Sequence, residues 1–210
     1  MVRQVKICGV RDRSGFDACL VARPDYVGFN FAPASRRRVD PATVSGWIGA
    51  SPDDAPVAVG VFVDQPAGDV MRIARSSGVA VIQLHGDEPP AYCSALGGFA
   101  IWKAVSGPDV TLGRLREYAA WCDTLIVDGR RPGSGESWDH ARVRSWLDEE
   151  GCIEGVPVFV AGGLGPDLVA EVLVATGAAG ADVASGVETN GVVDADKVAA
   201  FVAAVRGVRG

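Results

Sequence analysis

No run of basic residues in this chain exceeds three, and acidic side chains outnumber basic ones 26 to 20. A net charge of -6 offers a phosphodiester backbone or an anionic lipid surface little attraction, so neither nucleic acid nor membrane is an expected partner. No segment approaches the roughly 20 uninterrupted apolar residues of a membrane span. The stretch MVRQVKICGVRDRS holds no apolar run of signal-peptide length, and a cytoplasmic location is expected. The five cysteines, Cys8, Cys19, Cys93, Cys122 and Cys152, are odd in number and scattered, which excludes a disulfide framework and reads as free thiols in a reducing compartment. Histidine occurs twice, as His85 and His140, with no metal-ligand spacing around either, so no metal is expected. No G-x-G-x-x-G follows the first apolar run, which argues against an open dinucleotide-binding sheet. Linkers, low-complexity stretches and strong internal repeats are missing too, and a single domain over 1–210 is the expectation.

What is present is glycine, 27 residues of it, many closing short β-branched runs. Eight such runs occur, at 4–8, 25–31, 56–63, 79–84, 99–104, 123–127, 157–161 and 181–184. Most are continuously apolar rather than alternating, the pattern of parallel strands covered on both faces. Helical periodicity fills the gaps at 13–22, 41–49, 66–77, 88–96, 110–120, 139–149, 166–176 and 194–205. Start signals stand at Asp40-Pro41 and Gly165-Pro166, stop signals at Gly78 and Gly177, and Asp64 reads as a helix N-cap. Eight strand-helix units in 210 residues average about 26 residues each, the arithmetic of an α/β fold of the compact (β/α)8 or TIM-barrel type.

In such a barrel the chemistry sits at the carboxyl ends of the strands. Those ends carry Lys6 and Cys8, Asn30, Asp64, Gln83 and His85, Lys103, Asp128, Gly162-Gly163 and Ser185-Gly186. Lys6, Gln83 and His85 are candidate substrate contacts. Cys8 is either a small buried hydrophobe or a base or nucleophile, provided that Lys6, a helix N-terminus or the surroundings of a bound ligand stabilise its thiolate. Asp128 is either an acceptor for the N–H groups of the following loop or an acid able to donate a proton. Gly162-Gly163 and Ser185-Gly186, at adjacent strand ends, form the two halves of an anion cradle, which points to a phosphorylated substrate. One of Arg36, Arg37 and Arg38 suits a substrate carboxylate, and the glycine-rich segment 129–138 reads as a lid or ligand-contacting loop.

Taken in order, Lys6-Ile7-Cys8-Gly9, Gly28-Phe29-Asn30-Phe31, Ser35-Arg36-Arg37, Val59-Gly60-Val61-Phe62-Val63, Gln83-Leu84-His85-Gly86-Asp87, Val127-Asp128, Ala161-Gly162-Gly163-Leu164 and Ser185-Gly186-Val187-Glu188 resemble the phosphoribosylanthranilate isomerase family over essentially the whole chain. The resemblance implies an aldose-ketose isomerase carrying out an Amadori rearrangement without metal or redox cofactor. It implies Cys8 as general base, Asp128 as general acid, Arg37 as the contact to the anthranilate carboxylate, and the glycine loops as phosphate site. Ser134 stands where the family commonly has a threonine, retaining the hydroxyl, and His140 where it has a tryptophan. The implied partner is a small phosphorylated, carboxylate-bearing molecule, with the protein a monomer or homodimer. The rivals are a histidine-pathway or dual-substrate phosphoribosyl isomerase, whose first strand ends in aspartate; a pentulose-phosphate epimerase, which needs metal ligands; and a non-catalytic barrel binding a phosphorylated metabolite.

Overall fold

The computed structural model describes residues 2–107, 110–129, 140–149 and 151–208. Eight parallel strands form the body of the sheet: β1 (Gln4–Cys8), β2 (Tyr26–Asn30), β3 (Val57–Phe62), β4 (Val81–Leu84), β5 (Ala100–Ser106), β6 (Thr124–Asp128), β7 (Val156–Ala161) and β8 (Gly180–Val183), and a two-residue strand, Cys152–Ile153, pairs antiparallel with β7. Each of the eight pairs with its sequence neighbours, and β8 pairs back onto β1 with Lys6 opposite Asp182, so the sheet closes into a barrel. The (β/α)8 arrangement expected from the runs is the one found.

The intervening helices are α1 (Arg13–Ala22), α2 (Pro41–Gly49), α3 (Ala67–Ser77), α4 (Leu112–Ala119), α5 (His140–Arg144), α6 (Val169–Thr176) and α7 (Ala195–Gly207). Their ends follow local chemistry. The Asp40 carboxylate accepts from the Ala42 and Thr43 amides ahead of Pro41, and Asp12 and Asp194 do the same for α1 and α7. Gly78 and Gly177 take the left-handed conformation that closes α3 and α6.

Four local expectations need correction. The 88–96 helix is a 3-10 helix over Pro90–Leu96, because the adjacent prolines lack N–H groups and Pro90 holds Pro89 extended. Pro166 does not open α6: Pro166–Leu168 form a turn, with the Leu168 and Val169 amides donating to Gly165 O. Among the described residues of 139–149, only His140–Arg144 is α-helical, and tighter turns follow, the Trp146 amide donating to Val143 O. Asp64 caps no helix. It has φ +50°, and its carboxylate instead accepts from the Asp87 amide at 2.7 Å, across to the loop after β4.

Alternate residues of each strand face opposite sides. One set forms a closed inner cluster of Val59, Val81, Trp102, Ala104, Ile126, Phe159 and Ala161. Within it Trp102 packs against Tyr26 and Phe159 with ring centroids 4.6 and 5.1 Å apart, plugging the lumen with aromatic surface. The other set, including Val5, Ile7, Val27, Phe29, Leu125 and Val158, meets the inward faces of the helices. Two residues further along the inward rows, apolar gives way to polar: Val81 to Gln83, Ile126 to Asp128, Gly180 to Asp182. The site lies there.

Candidate active site

A cavity of about 230 Å³ opens above the aromatic plug. Cys8 from β1, Arg37 after β2, His85 after β4, Asp128 from β6, Gly162 and Gly163 after β7 and Ser185 after β8 line it together. Because β7 and β8 lie between β6 and β1 in the closed sheet, the glycine loops stand between the carboxylate of Asp128 and the thiol of Cys8. Gly186 stands behind this wall. A Cβ there would lie 1.8 Å from Leu164 O, so glycine is what lets the two loops touch.

Lys6 and Gln83, expected to contact substrate, do not line the cavity. Both are fully buried beneath it. Lys6 Nζ pairs with Asp182 Oδ1 at 2.8 Å and lies near the Cys8 thiol, on which its charge acts. Gly28 on β2 makes room for the thiol and the ammonium: a Cβ there would sit 2.9 Å from Cys8 Sγ and 3.1 Å from Lys6 Nζ. Gln83 lies behind His85, its Nε2 3.1 Å from His85 Nδ1. In that contact the amide donates, Nδ1 accepts, and the imidazole carries its proton on Nε2, 3.9 Å from Asp128 Oδ2. Ser134 and most of the 129–138 segment lie outside the described residues.

Burial shapes the electrostatics. The Cys8 thiol is pushed above its ordinary value by desolvation, against the pull of Lys6 and Arg37 toward the thiolate. Burial also lowers His85, against the nearby Asp128, so its ring is neutral at pH 7. The Lys6 ammonium stays charged at neutral pH, since Asp182 and Cys8 together outweigh its desolvation. Among the described residues, no three of His, Cys, Asp and Glu converge as a metal site.

Three residues escaped the sequence reading. Asp182, on the cavity floor, was signalled by a charge of each sign inside the apolar runs of strands 1 and 8, which become neighbours only when the barrel closes. Glu188 pairs with Arg37; the Ser185-Gly186-Val187-Glu188 motif contains it but gives it no partner. Glu88 organises the loop after β4: its Oε1 accepts from the Asp64 amide, and its Oε2 from the Gly86 amide and Lys103 Nζ. Lys103, at a strand end, points outward to Glu88 with 1% of its side chain exposed.

Fold and cavity define a (β/α)8-barrel enzyme with a small-ligand site in its carboxyl-terminal mouth. The family model described as N-(5'phosphoribosyl)anthranilate (PRA) isomerase matches residues 5–204. The N-(5'-phosphoribosyl)anthranilate isomerase of Symbiobacterium thermophilum is 39% identical, over 97% of this chain and 98% of that one. The crystal structure of phosphoribosyl anthranilate isomerase from Thermus thermophilus superposes with a TM-score of 0.83 at 34% identity, covering 98% of this chain and all of that one. A phosphoribosyl anthranilate isomerase in complex with reduced 1-(o-carboxyphenylamino)-1-deoxyribulose 5-phosphate superposes with a TM-score of 0.84 at 26% identity, covering 99% and 100%. The chain belongs to the phosphoribosylanthranilate isomerase family. No described helix is long and apolar enough to cross a membrane.

Proposed function

We propose that residues 1–210 form one catalytic domain that converts N-(5'-phosphoribosyl)anthranilate to 1-(2-carboxyphenylamino)-1-deoxyribulose 5-phosphate, a step of tryptophan biosynthesis, in the cytoplasm and as a monomer or homodimer. The observation that carries the reading is the shared cavity, with Cys8 and Asp128 on either side of the β7–β8 glycine loops. A phosphate on Gly162, Gly163 and Ser185, with Gly186 closing the loop behind, leaves the sugar between thiol and carboxyl and the aromatic carboxylate toward Arg37. The relative solved with reduced 1-(o-carboxyphenylamino)-1-deoxyribulose 5-phosphate supports a ligand that bears both a phosphate and a carboxylate.

Asp128 gives a proton to the furanose ring oxygen as the C1–O bond breaks, and the nitrogen lone pair closes C1=N⁺. The Cys8 thiolate then takes the proton from C2, whose acidity the iminium raises. The C2–H electrons form C1=C2 and the C=N⁺ pair returns to nitrogen. The resulting enolamine gains a proton at C1 and loses the hydroxyl proton at C2, leaving the ketone. The ligand's own nitrogen is the electron sink, so this route calls for no metal or redox cofactor. Lys6 and Asp182 serve from below: the ammonium stabilises the thiolate, and the carboxylate holds the ammonium.

The test is a fluorescence assay of substrate formed in situ, with chelator present, for the wild type, Asp128→Asn and Cys8→Ser. Each variant is expected to lose about 10²–10⁴-fold in kcat with little change in KM. A silent wild type that still binds the reduced product would leave only a phosphometabolite-binding barrel.

A further inference from the structure

The cavity wall contains an ion pair that the acid-base scheme does not use. Arg37 Nε and Nη2 donate to Glu188 Oε1 and Oε2 at 2.5 and 2.9 Å, a bidentate pairing across 151 positions of sequence. The Glu188 side chain is 8% exposed and that of Arg37 19%. The pairing holds the arginine positively charged and keeps the Glu188 carboxyl below its ordinary range.

Both partners are built in. Arg37 lies across Gly9, where a Cβ would stand 2.3 Å from its Cδ, so glycine after Cys8 is what lets the side chain pass. The Arg37 amide donates to Ser35 Oγ. Glu188 begins a two-residue hairpin, Glu188–Thr189 against Val192–Val193, turned by Asn190 and Gly191, both with positive φ. Three contacts fasten that hairpin: Thr189 Oγ1 to Asp194 Oδ2, Lys197 Nζ to Glu188 O, and Arg11 Nη2 to Gly191 O. Arg11 Nη1 also donates to Arg36 O, tying the hairpin to the loop that carries Arg37.

A guanidinium presents five N–H donors in one plane. Glu188 takes the Nε/Nη2 edge, which leaves the Nη1/Nη2 end for one further carboxylate. We infer that Glu188 is a positioning residue for carboxylate recognition: it fixes the plane of Arg37 so that only the terminal edge of the guanidinium meets the ligand. The inference rests on the reading of Arg37 as the carboxylate contact. On charge alone Glu188 opposes a second anion, so its contribution is orientation, with less side-chain freedom lost when ligand binds.

The test compares two ligands by calorimetry: reduced 1-(o-carboxyphenylamino)-1-deoxyribulose 5-phosphate and the same molecule lacking the ring carboxylate. The readout is the ratio of their Kd values, which a general loss of structure leaves unchanged. Arg37→Ala should bring the ratio close to one. Glu188→Ala should cut the preference for the carboxylate about ten-fold without altering Kd for the decarboxylated ligand. Glu188→Gln, which keeps one acceptor, should recover part of it, and the double variant should match Arg37→Ala. A wild-type ratio in Glu188→Ala, a raised one, or equal weakening of both ligands overturns the role of Glu188 and leaves Arg37 standing. A wild-type ratio in Arg37→Ala overturns the clamp itself.

Discussion

At the scale of single residues, the opposed influences on Cys8 decide how the protein responds to pH. Burial raises the thiol, and Lys6, held charged by Asp182, draws it back. A general base acts only when deprotonated, so kcat/KM should climb as pH rises toward the thiol's native value. Removing the ammonium leaves desolvation unopposed on that side. Lys6→Met is therefore expected to move the rising limb of the kcat/KM profile to higher pH, by about one unit for each 1.4 kcal/mol of lost thiolate stabilisation. A limb that stays in place in Lys6→Met would show that the ammonium does not act on Cys8. The small residues around this pair matter as much as the charged ones, since Gly28 and Gly9 yield the volume that the Cys8–Lys6 pair and Arg37 occupy.

At the scale of elements, the loop between β4 and the Pro90–Leu96 helix is held by one buried carboxylate rather than by a helix cap. Glu88 accepts from two loop amides and from Lys103, and its carbonyl accepts from the Tyr118 hydroxyl of α4 at 2.7 Å. Lys103 also stands over the Tyr118 ring, 5.4 Å from its centroid. Glu88→Leu leaves the buried ammonium without its counter-charge, with the Gly86 carbonyl as its remaining acceptor, and should cost about 3–5 kcal/mol in urea unfolding. Adding Lys103→Met should restore much of that, because an apolar pair of similar volume carries no desolvation penalty. Equal losses in the single and double variants would mean that the cost lies in the loop amides instead.

At the scale of the whole molecule, the eight parallel strands close on one another, each with a neighbour on both sides, and ion pairs fasten the later segments to the earlier ones: Lys6 to Asp182, Arg37 to Glu188, Arg206 to Asp25. Glu188 is held below its ordinary value by Arg37, so the native state takes up that proton less readily than the unfolded chain. Its stabilisation is complete above the unfolded value of 4.5 and fades as pH falls through the lower native one. The melting temperature should drop with acid below about pH 4.5, and less steeply in Glu188→Gln. Identical slopes in the two proteins would remove Glu188 from the acid response.

Strand and helix order were legible because β-branched runs, caps and glycine stops act over a few residues. The position of Cys8, His85, Asp128 and the glycine pairs on one rim was legible too, since strand ends in a parallel barrel share a face. Depth was not. Lys6 and Cys8 lie two positions apart on one face of β1, yet only one reaches the cavity. Lys103 looks like a rim residue and points the other way. The partners of these charges, Asp182 and Glu88, and the match of Arg37 to Glu188 depend on which strands become neighbours and how far each is shifted. Those distances arise only when the sheet closes, because a charge 176 residues away in sequence is 2.8 Å away in the folded chain.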